Sequence, residues 1–382
     1  NIAEKITEKD EKLLKQLAIT AMTGKGAEGS KEHLAELCVK AVKQIRDNDG
    51  NIDLENIKIE KKSGAGAEDT ELIQGILIDK EKVHSAMPRV VKNAKIALLD
   101  CALEVKSPET DTKIQISTPD QLEGFLEQEE KILRSMADKV IKSKANVVIC
   151  QKGIDDIAQH YLAKSNIYAV RRVKKSDMDK LARATGGRVV SNLNDLSTED
   201  LGNSGIVEEV KVGDEMMTFV RECKNPKAVT ILIRGGSNHV VDEVERAIKD
   251  AIGDVAASLK SGKVVAGAGA IEIEVAKNLR IYSNKLSGKE QLAVLAFADA
   301  IEIIPRTLAE NAGLDTIDIL ADLKSKHDSK EGKWYGVDVN KGKLMDAWNL
   351  GVIEPLKIKT QAVKSASEVS ELILRIDDII AA

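Results

Sequence analysis

The stretch from Ile231 to Ala270, ILIRGGSNHVVDEVERAIKDAIGDVAASLKSGKVVAGAGA, does most to limit what this chain can become. It joins a strand over Thr230 to Arg234, a glycine turn at Gly235 and Gly236, a helix from about Asn238 to Leu259, and a second glycine-rich turn. Val241, Val244, Ile248, Ile252, Val255 and Leu259 recur every three or four residues, which makes one apolar stripe at the helical period. Asn238 is the expected N-cap and Gly262 the expected stop. At about 100° per residue Asp250 falls opposite the stripe, pointing away from the core that the helix packs on.

Asp250 then has two readings. The plainer is a solvated carboxylate flanked by Arg246 and Asp254, each one helical turn away. The sharper takes the unit together: an outward carboxylate followed by Val264 to Ala270 (VVAGAGA) can face a nucleotide whose sugar and phosphates lie against that small-residue turn. Glycines in such a turn also serve close helix packing or a bulge, so the turn alone does not decide between them.

A length of 382 residues points to two or three domains. Only 2% of residues are aromatic, so the cores must be built from Ile, Val, Leu and Ala. A net charge of -5 leaves no basic footprint, which argues against nucleic acid as the main partner. No apolar run approaches the roughly 20 residues that span a bilayer, and no secretory signal opens the chain, so a cytoplasmic protein with no membrane partner is expected. Cys38, Cys101, Cys150 and Cys223 are far apart, with no CxxC pair, and read as reduced thiols rather than a zinc site. His33, His84, His160, His239 and His327 are equally scattered and receive no catalytic role. The chain begins at Asn1 rather than Met, which reads as a missing natural start.

In chain order, Asn1 to Met22 is expected to be helical, with Thr7 and Asp10 as a capping pair and Leu13, Leu14, Leu17, Ala18 and Ala21 inward. Thr23-Gly24-Lys25-Gly26 breaks it. A lysine between two glycines has a close-approaching backbone and a cation, which suits phosphate; an ordinary loop with an exposed lysine is the plainer reading. A helix over Ser30 to Arg46, a strand over Asn56 to Lys62, a loop at Ser63 to Asp69, and a strand over Leu72 to Asp79 broken at Gly75 follow. From Lys95 to Gly213 strands (Ile96 to Val105, Val147 to Cys150, Ile167 to Val173, Arg188 to Ser191) alternate with helices (Ile154 to Ala163, Asp177 to Thr185), which indicates an α/β sandwich. Ile206 to Val212 and Met216 to Val220 form a hairpin around Gly213-Asp214.

Inside that domain, polar Ser107 to Thr118 precedes a long helix opened by Thr118-Pro119-Asp120-Gln121. Its apolar positions Leu122, Phe125, Leu126, Ile132 and Met136 either pack on the domain's own sheet or form a protrusion that meets a partner. Beyond the central stretch come helices over Ile271 to Ser283, Lys289 to Asn311 with a kink expected at Pro305, and Thr316 to Lys326. Trp334 to Lys343 reads as a turn or hairpin, Gly351 to Pro355 as a turn, and Val363 to Ile380 as a last helix.

QLAVLAFADAIEIIPRTLAENAGLDTIDIL (Gln291 to Leu320), GVIEPLKIKTQAVKSASE (Gly351 to Glu368) and AITAMTGKGAE (Ala18 to Glu28) closely resemble the group II chaperonins, the archaeal thermosome and its eukaryotic cytosolic relatives. The resemblance runs over essentially the whole chain. It implies a multidomain α/β subunit with a mostly helical equatorial domain, a mixed α/β intermediate domain, and an α/β apical domain bearing a helical protrusion. The implied nesting is equatorial over 1–10 and 264–382, intermediate over 11–73 and 228–263, and apical over 74–227, with the lid protrusion at about 107–136. By resemblance Asp250 positions the water that attacks the terminal phosphate, and Lys25, with Thr23 and Gly24, belongs to the nucleotide-sensing loop. Gly267, Ala268 and Gly269 approach the ribose, although the family's middle residue is usually glycine. Gly336, Val337 and Asp338 fall at the adenine pocket and Glu354 at the ribose hydroxyls. Leu122, Phe125, Leu126, Ile132 and Met136 fall on the lid.

The resemblance further implies ATP and Mg²⁺ as cofactors, partner subunits in two stacked rings, and non-native client proteins. A glycine-aspartate-glycine-threonine phosphate loop, which supplies the metal carboxylate in the family, has no counterpart here, so no metal ligand is assigned in this chain. As an entire polypeptide the chain is expected not to hydrolyse ATP, and as part of a longer one the complete subunit is expected to be an ATPase. Two rival readings are a passive, nucleotide-free module that holds unfolded protein, and a Rossmann-like enzyme, against which the helix following Gly269 counts.

Overall fold

The computed structural model describes residues 2–26, 29–47, 49–105, 119–329 and 332–377. The chain opens with a short strand, β1 (Glu4–Lys5), and not with the expected helix, which begins only at α1 (Glu11–Met22). The reason is the Thr7–Asp10 pair. The Thr7 N–H and hydroxyl both donate to the Asp10 carboxylate, at 2.8 and 2.7 Å, so this side chain closes a turn ahead of the helix instead of capping it. Leu14, Leu17, Ala18 and Met22 are the buried face of α1, with Leu13 and Ala21 at its margin. In α2 (Lys31–Ile45) Leu34, Leu37, Ala41 and Ile45 are buried as expected.

The strands β2 (Ile57–Ser63), β3 (Glu71–Ile73), β4 (Ile76–Ile78) and β5 (Val90–Leu99) follow. Gly75 does more than interrupt a strand. It has φ +149°, and a Cβ there would lie 2.0 Å from the Val220 carbonyl oxygen. β5 starts earlier than expected and stops at Leu99, short of Val105. Then come α3 (Pro119–Lys142), β6 (Val147–Cys150), α4 (Asp156–Lys164), β7 (Tyr168–Val170), α5 (Lys175–Thr185), β8 (Val189–Val190) and the hairpin β9 (Gly202–Val212) and β10 (Glu215–Arg221). The expected N-cap Thr118 and the segment Ser107 to Thr118 lie outside the described residues, as does the side chain of Leu122.

The central stretch forms β11 (Val229–Gly235), α6 (Asn238–Ser261) and β12 (Lys263–Ala266). Asn238 is already helical. Ser237 stands in the capping place, its hydroxyl accepting the Val240 N–H at 3.3 Å and its carbonyl the Val241 N–H at 3.0 Å. Gly262 ends the helix with φ +64°. The remainder is α7 (Ala270–Ser283), α8 (Gly288–Asn311) with Pro305 inside it, α9 (Thr316–Asp328), the hairpin β13 (Tyr335–Asp338) and β14 (Lys343–Asp346), β15 (Ile353–Pro355) and α10 (Leu356–Leu374). Gly351 to Pro355 is therefore partly a strand rather than only a turn. The last helix begins seven residues before the expected Val363, and residues 378–380 of that expectation lie outside the description.

These elements sort into two compact units, residues 40–245 and residues 1–39 with 246–382. In the first, the order β4-β10-β9-β5-β6-β7, with β8 beside β5, makes a seven-stranded mixed sheet. Alternation along β5 sends Ala94, Ile96 and Leu98 to the core under α5, and Ala97 and Leu99 to the core under α3 and α4. Both faces are covered, which is the expected sandwich. A second sheet, β2-β11-β3, pairs β2 parallel and β3 antiparallel to β11. In the other unit β12 is the middle of a small sheet, β1-β12-β15, and leads directly into α7. Among the described residues no helix is long and apolar enough to cross a membrane.

Candidate functional site

Every residue singled out around the second glycine turn falls in the unit formed by residues 1–39 and 246–382. Thr23 ends α1: its N–H and its hydroxyl, the latter at 2.8 Å, both donate to the Ile19 carbonyl. Gly24, at φ +79°, turns the chain so that Lys25 points back along the helix. The Lys25 ammonium donates to the Ala21 carbonyl at 2.6 Å and to the Asp250 carboxylate. Asp250 stands on α6 opposite Ile248 and Ile252, half exposed as its spacing requires. An ion pair this open to water contributes about 1 kcal/mol at most, so it adds little to stability. What it does is place a cation and a carboxylate at one point of the surface.

The two glycines of the turn Gly267-Ala268-Gly269 are closely packed by their neighbours. A Cβ at Gly267 would sit 2.6 Å from Glu354 Oε1, and one at Gly269 2.7 Å from the Pro305 ring. Ala268 holds φ +56° and Gly269 φ +80°, so the alanine adopts the left-handed conformation, at a cost of about 1 kcal/mol. The Ala268 carbonyl accepts the Val337 N–H at 2.9 Å, and a Cβ at Gly336 would lie 2.5 Å from that same oxygen. Gly336 and Val337 are thus brought against the turn by the β13–β14 hairpin. Asp338 is used differently: its Oδ1 accepts the N–H groups of Asn340 and Lys341, at 3.1 and 3.0 Å, and closes the hairpin. Glu354 reaches the turn because β15 pairs antiparallel with β12, placing it opposite Val265.

Two acidic residues at this site went unassigned in the sequence. Asp254, one helical turn beyond Asp250, is partly buried, and its carboxyl is pushed up to about 6 by burial, then by the Glu354 and Asp250 carboxylates, against the opposing Lys25 charge. Its i, i+4 spacing from Asp250 was the available signal. Glu272, in the first turn of α7, is only 4% exposed and accepts from Lys359 at 2.8 Å. Nothing in its spacing announces that burial.

The lid candidates stand on α3, in the other unit. Phe125, Leu126 and Ile132 are exposed. Met136 is half-buried and packs against the core cluster that holds Leu133, Ala137 and Val140. The histidines receive no site either; His327 is buried between the Glu274 carboxylate and the Tyr335 carbonyl. All four cysteines are free. Among the described residues no group of three or more His, Cys, Asp or Glu is arranged around a metal position.

This geometry fits a nucleoside triphosphate held against the turn. Ala268 is part-exposed between two buried glycines, α7 starts with no side-chain cap at Gly269, and Lys25 supplies a cation. The sequence model of the TCP-1/cpn60 chaperonins matches residues 1–382. The chain belongs to the TCP-1/cpn60 chaperonin family. It is 62% identical over 384 residues to a thermosome subunit of Methanopyrus kandleri, covering 100% of this chain and 70% of that protein. It is 59% identical over 384 residues to the thermosome subunit beta of Archaeoglobus fulgidus, with the same coverage. Among solved structures it is similar to the open-state monomer of a group II chaperonin from Methanococcoides burtonii, with a TM-score of 0.71 and 48% identity over 98% of this chain and 88% of that one. These likenesses carry the group II assignment, and the chaperonin fold class, from the sequence to the three-dimensional structure.

Proposed function

We propose that the chain acts as a subunit of an ATP-dependent group II chaperonin that encloses non-native protein under a built-in lid. The observation that carries this reading is the ion pair of Lys25 with Asp250, whose two charges act on Asp254 together with that of Glu354, the acid that lies over Gly267. Bound ATP with Mg²⁺ supplies the phosphoryl-transfer chemistry. The chain's own residues receive and orient it. Lys25, on the Thr23-Gly24 turn, balances phosphate charge. Gly267, Ala268 and Gly269 allow backbone to approach the sugar, with Glu354 as hydroxyl acceptor, and Gly336 and Val337 flank the base. Asp338 keeps their hairpin closed. Asp250 accepts a hydrogen bond from the attacking water and, released from Lys25, is the group that takes up its proton.

In this reading residues 1–10 and 264–382 are equatorial, 11–73 and 228–263 intermediate, and 74–227 apical. The exposed Phe125, Leu126 and Ile132 belong to the lid face, partner subunits complete two stacked rings, and the assembly works in the cytoplasm on clients that expose apolar surface. The relatives' names, which call each of them a subunit, support an assembly. The test is Asp250→Ala in the subunit with its complete polypeptide. ATP binding, followed by calorimetry, is expected to stay within about threefold, while steady-state hydrolysis drops by at least about 100-fold. Hydrolysis at the parent rate rejects the assignment.

A further inference from the structure

Behind the turn, one ammonium group serves two acids. Lys359, in the first turn of α10, donates to Glu354 at 2.8 Å and to Glu272 at 2.8 Å. Glu354 comes from β15 and its Oε1 lies over Gly267, in the space a Cβ there would take; Glu272 comes from the buried first turn of α7. The second oxygen of Glu272, Oε2, is buried without a hydrogen-bond partner among the described residues. An unmatched buried carboxylate oxygen costs on the order of 1–3 kcal/mol, so this arrangement is not explained as a stability device. Three elements that border the turn, β15, α7 and α10, are instead held in register by one cation.

We propose that Lys359 is a positioning residue for the nucleotide turn: it fixes Glu354 over Gly267 as an acceptor for the sugar hydroxyls and shares its charge with Glu272. The inference rests on reading Gly267–Gly269 as a nucleotide turn. Its physical basis is the balance of charges on Glu354. Burial pushes the Glu354 carboxyl up, Glu272 adds to that, and Lys359 opposes it. Asp254 on α6 is a further acid near Glu354, and the Glu354 charge helps to raise its carboxyl. Burial alone would lower Lys359, yet the two carboxylates together hold it above the ordinary lysine range. An ionised Glu354 offers both oxygens as acceptors. A protonated one gives up an acceptor, and it also releases Lys359 toward Glu272.

A purely structural clip and a charge-setting one give different outcomes. Lys359→Met removes the group that favours ionised Glu354, whereas Glu272→Gln removes one that opposes it. The Glu354 carboxyl titration, followed by ¹³C NMR on glutamate-labelled chain and assigned with Glu354→Gln, is expected to move up by about one pH unit in Lys359→Met and down in Glu272→Gln. Lys359→Arg restores the parent value. The pH midpoint of ADP affinity, measured by calorimetry on the same proteins, is expected to shift in the same two directions. Midpoints that move the same way in both variants, or not at all, overturn the proposal. So does ADP affinity that ignores a shifted Glu354 titration. Failure of the parent chain to bind ADP at any pH strikes instead at the reading of the turn itself, and the proposal falls with it.

Discussion

The helices α3 and α6 have the same length, 24 residues, and both carry apolar residues at the helical period, yet they bury them differently. On α6 the stripe is covered from Val241 to Ala256. On α3 only the second half is covered, at Leu133, Ala137 and Val140, while Phe125, Leu126 and Ile132 remain in water. Periodicity fixes which face of a helix is apolar. It says nothing about how far the neighbouring sheet extends beneath it. α3 outruns its sheet, which leaves Phe125 and Leu126 exposed.

The comparison can be broken within α3 itself. Leu133→Ala opens a cavity against the sheet and is expected to cost about 2–5 kcal/mol in denaturant unfolding. A cost below about 1 kcal/mol would mean that the covered half is no better packed than the overhang.

A smaller effect sharpens the contrast on the polar side of α6. Asp254 has a folded-state carboxyl near 6 against an ordinary value of 3.8. The folded chain therefore holds the proton over a range where the unfolded chain has lost it, and stability falls as pH rises from about 4 to about 6. Asp254→Asn is expected to remove that slope and to stabilise the protein at pH 7 by on the order of 2 kcal/mol. Thermal melts at pH 4.5 and pH 7 read this directly, and an unchanged pH slope refutes it.

The smallest change belongs to the overhang. Leu126→Ser is expected to alter stability by less than about 0.5 kcal/mol while weakening capture of a chemically unfolded model protein by the assembled chaperonin. Equal capture by parent and variant would remove the overhang from client handling.

Much of the architecture was legible from residues alone. The limits of β6 at Val147 and Cys150 and the β9–β10 hairpin around Gly213 followed from short apolar runs between turn residues. The errors have local causes. Thr7 and Asp10 have the spacing of a helix cap, but the Asp10 carboxylate is satisfied by Thr7. Pro355 reads as a turn residue, and yet β15 is an edge strand, where a missing N–H costs nothing. The start of α10 was hidden because Lys357, Lys359, Thr360 and Gln361 break the apolar period, and the helix buries no residue fully.

The site was legible in a different way. Asp250 and Lys25 stand 225 positions apart, and no spacing rule joins them; the family resemblance did. Asp254 was signalled only by its spacing from Asp250, and Glu272 lay beyond both approaches, because a carboxylate's burial depends on what packs over it, and that is a property of the folded chain.

Gly75 carries a mechanical consequence. β3 belongs to the sheet with β2 and β11, β4 to the sheet with β10, and only Gln74 and Gly75 separate them. This two-residue link is pinned from the second sheet by Thr230, whose hydroxyl accepts the Leu77 N–H at 3.2 Å and donates to the Gly75 carbonyl at 3.3 Å. Any side chain grafted at Gly75 would have to tear that seam open before it found space.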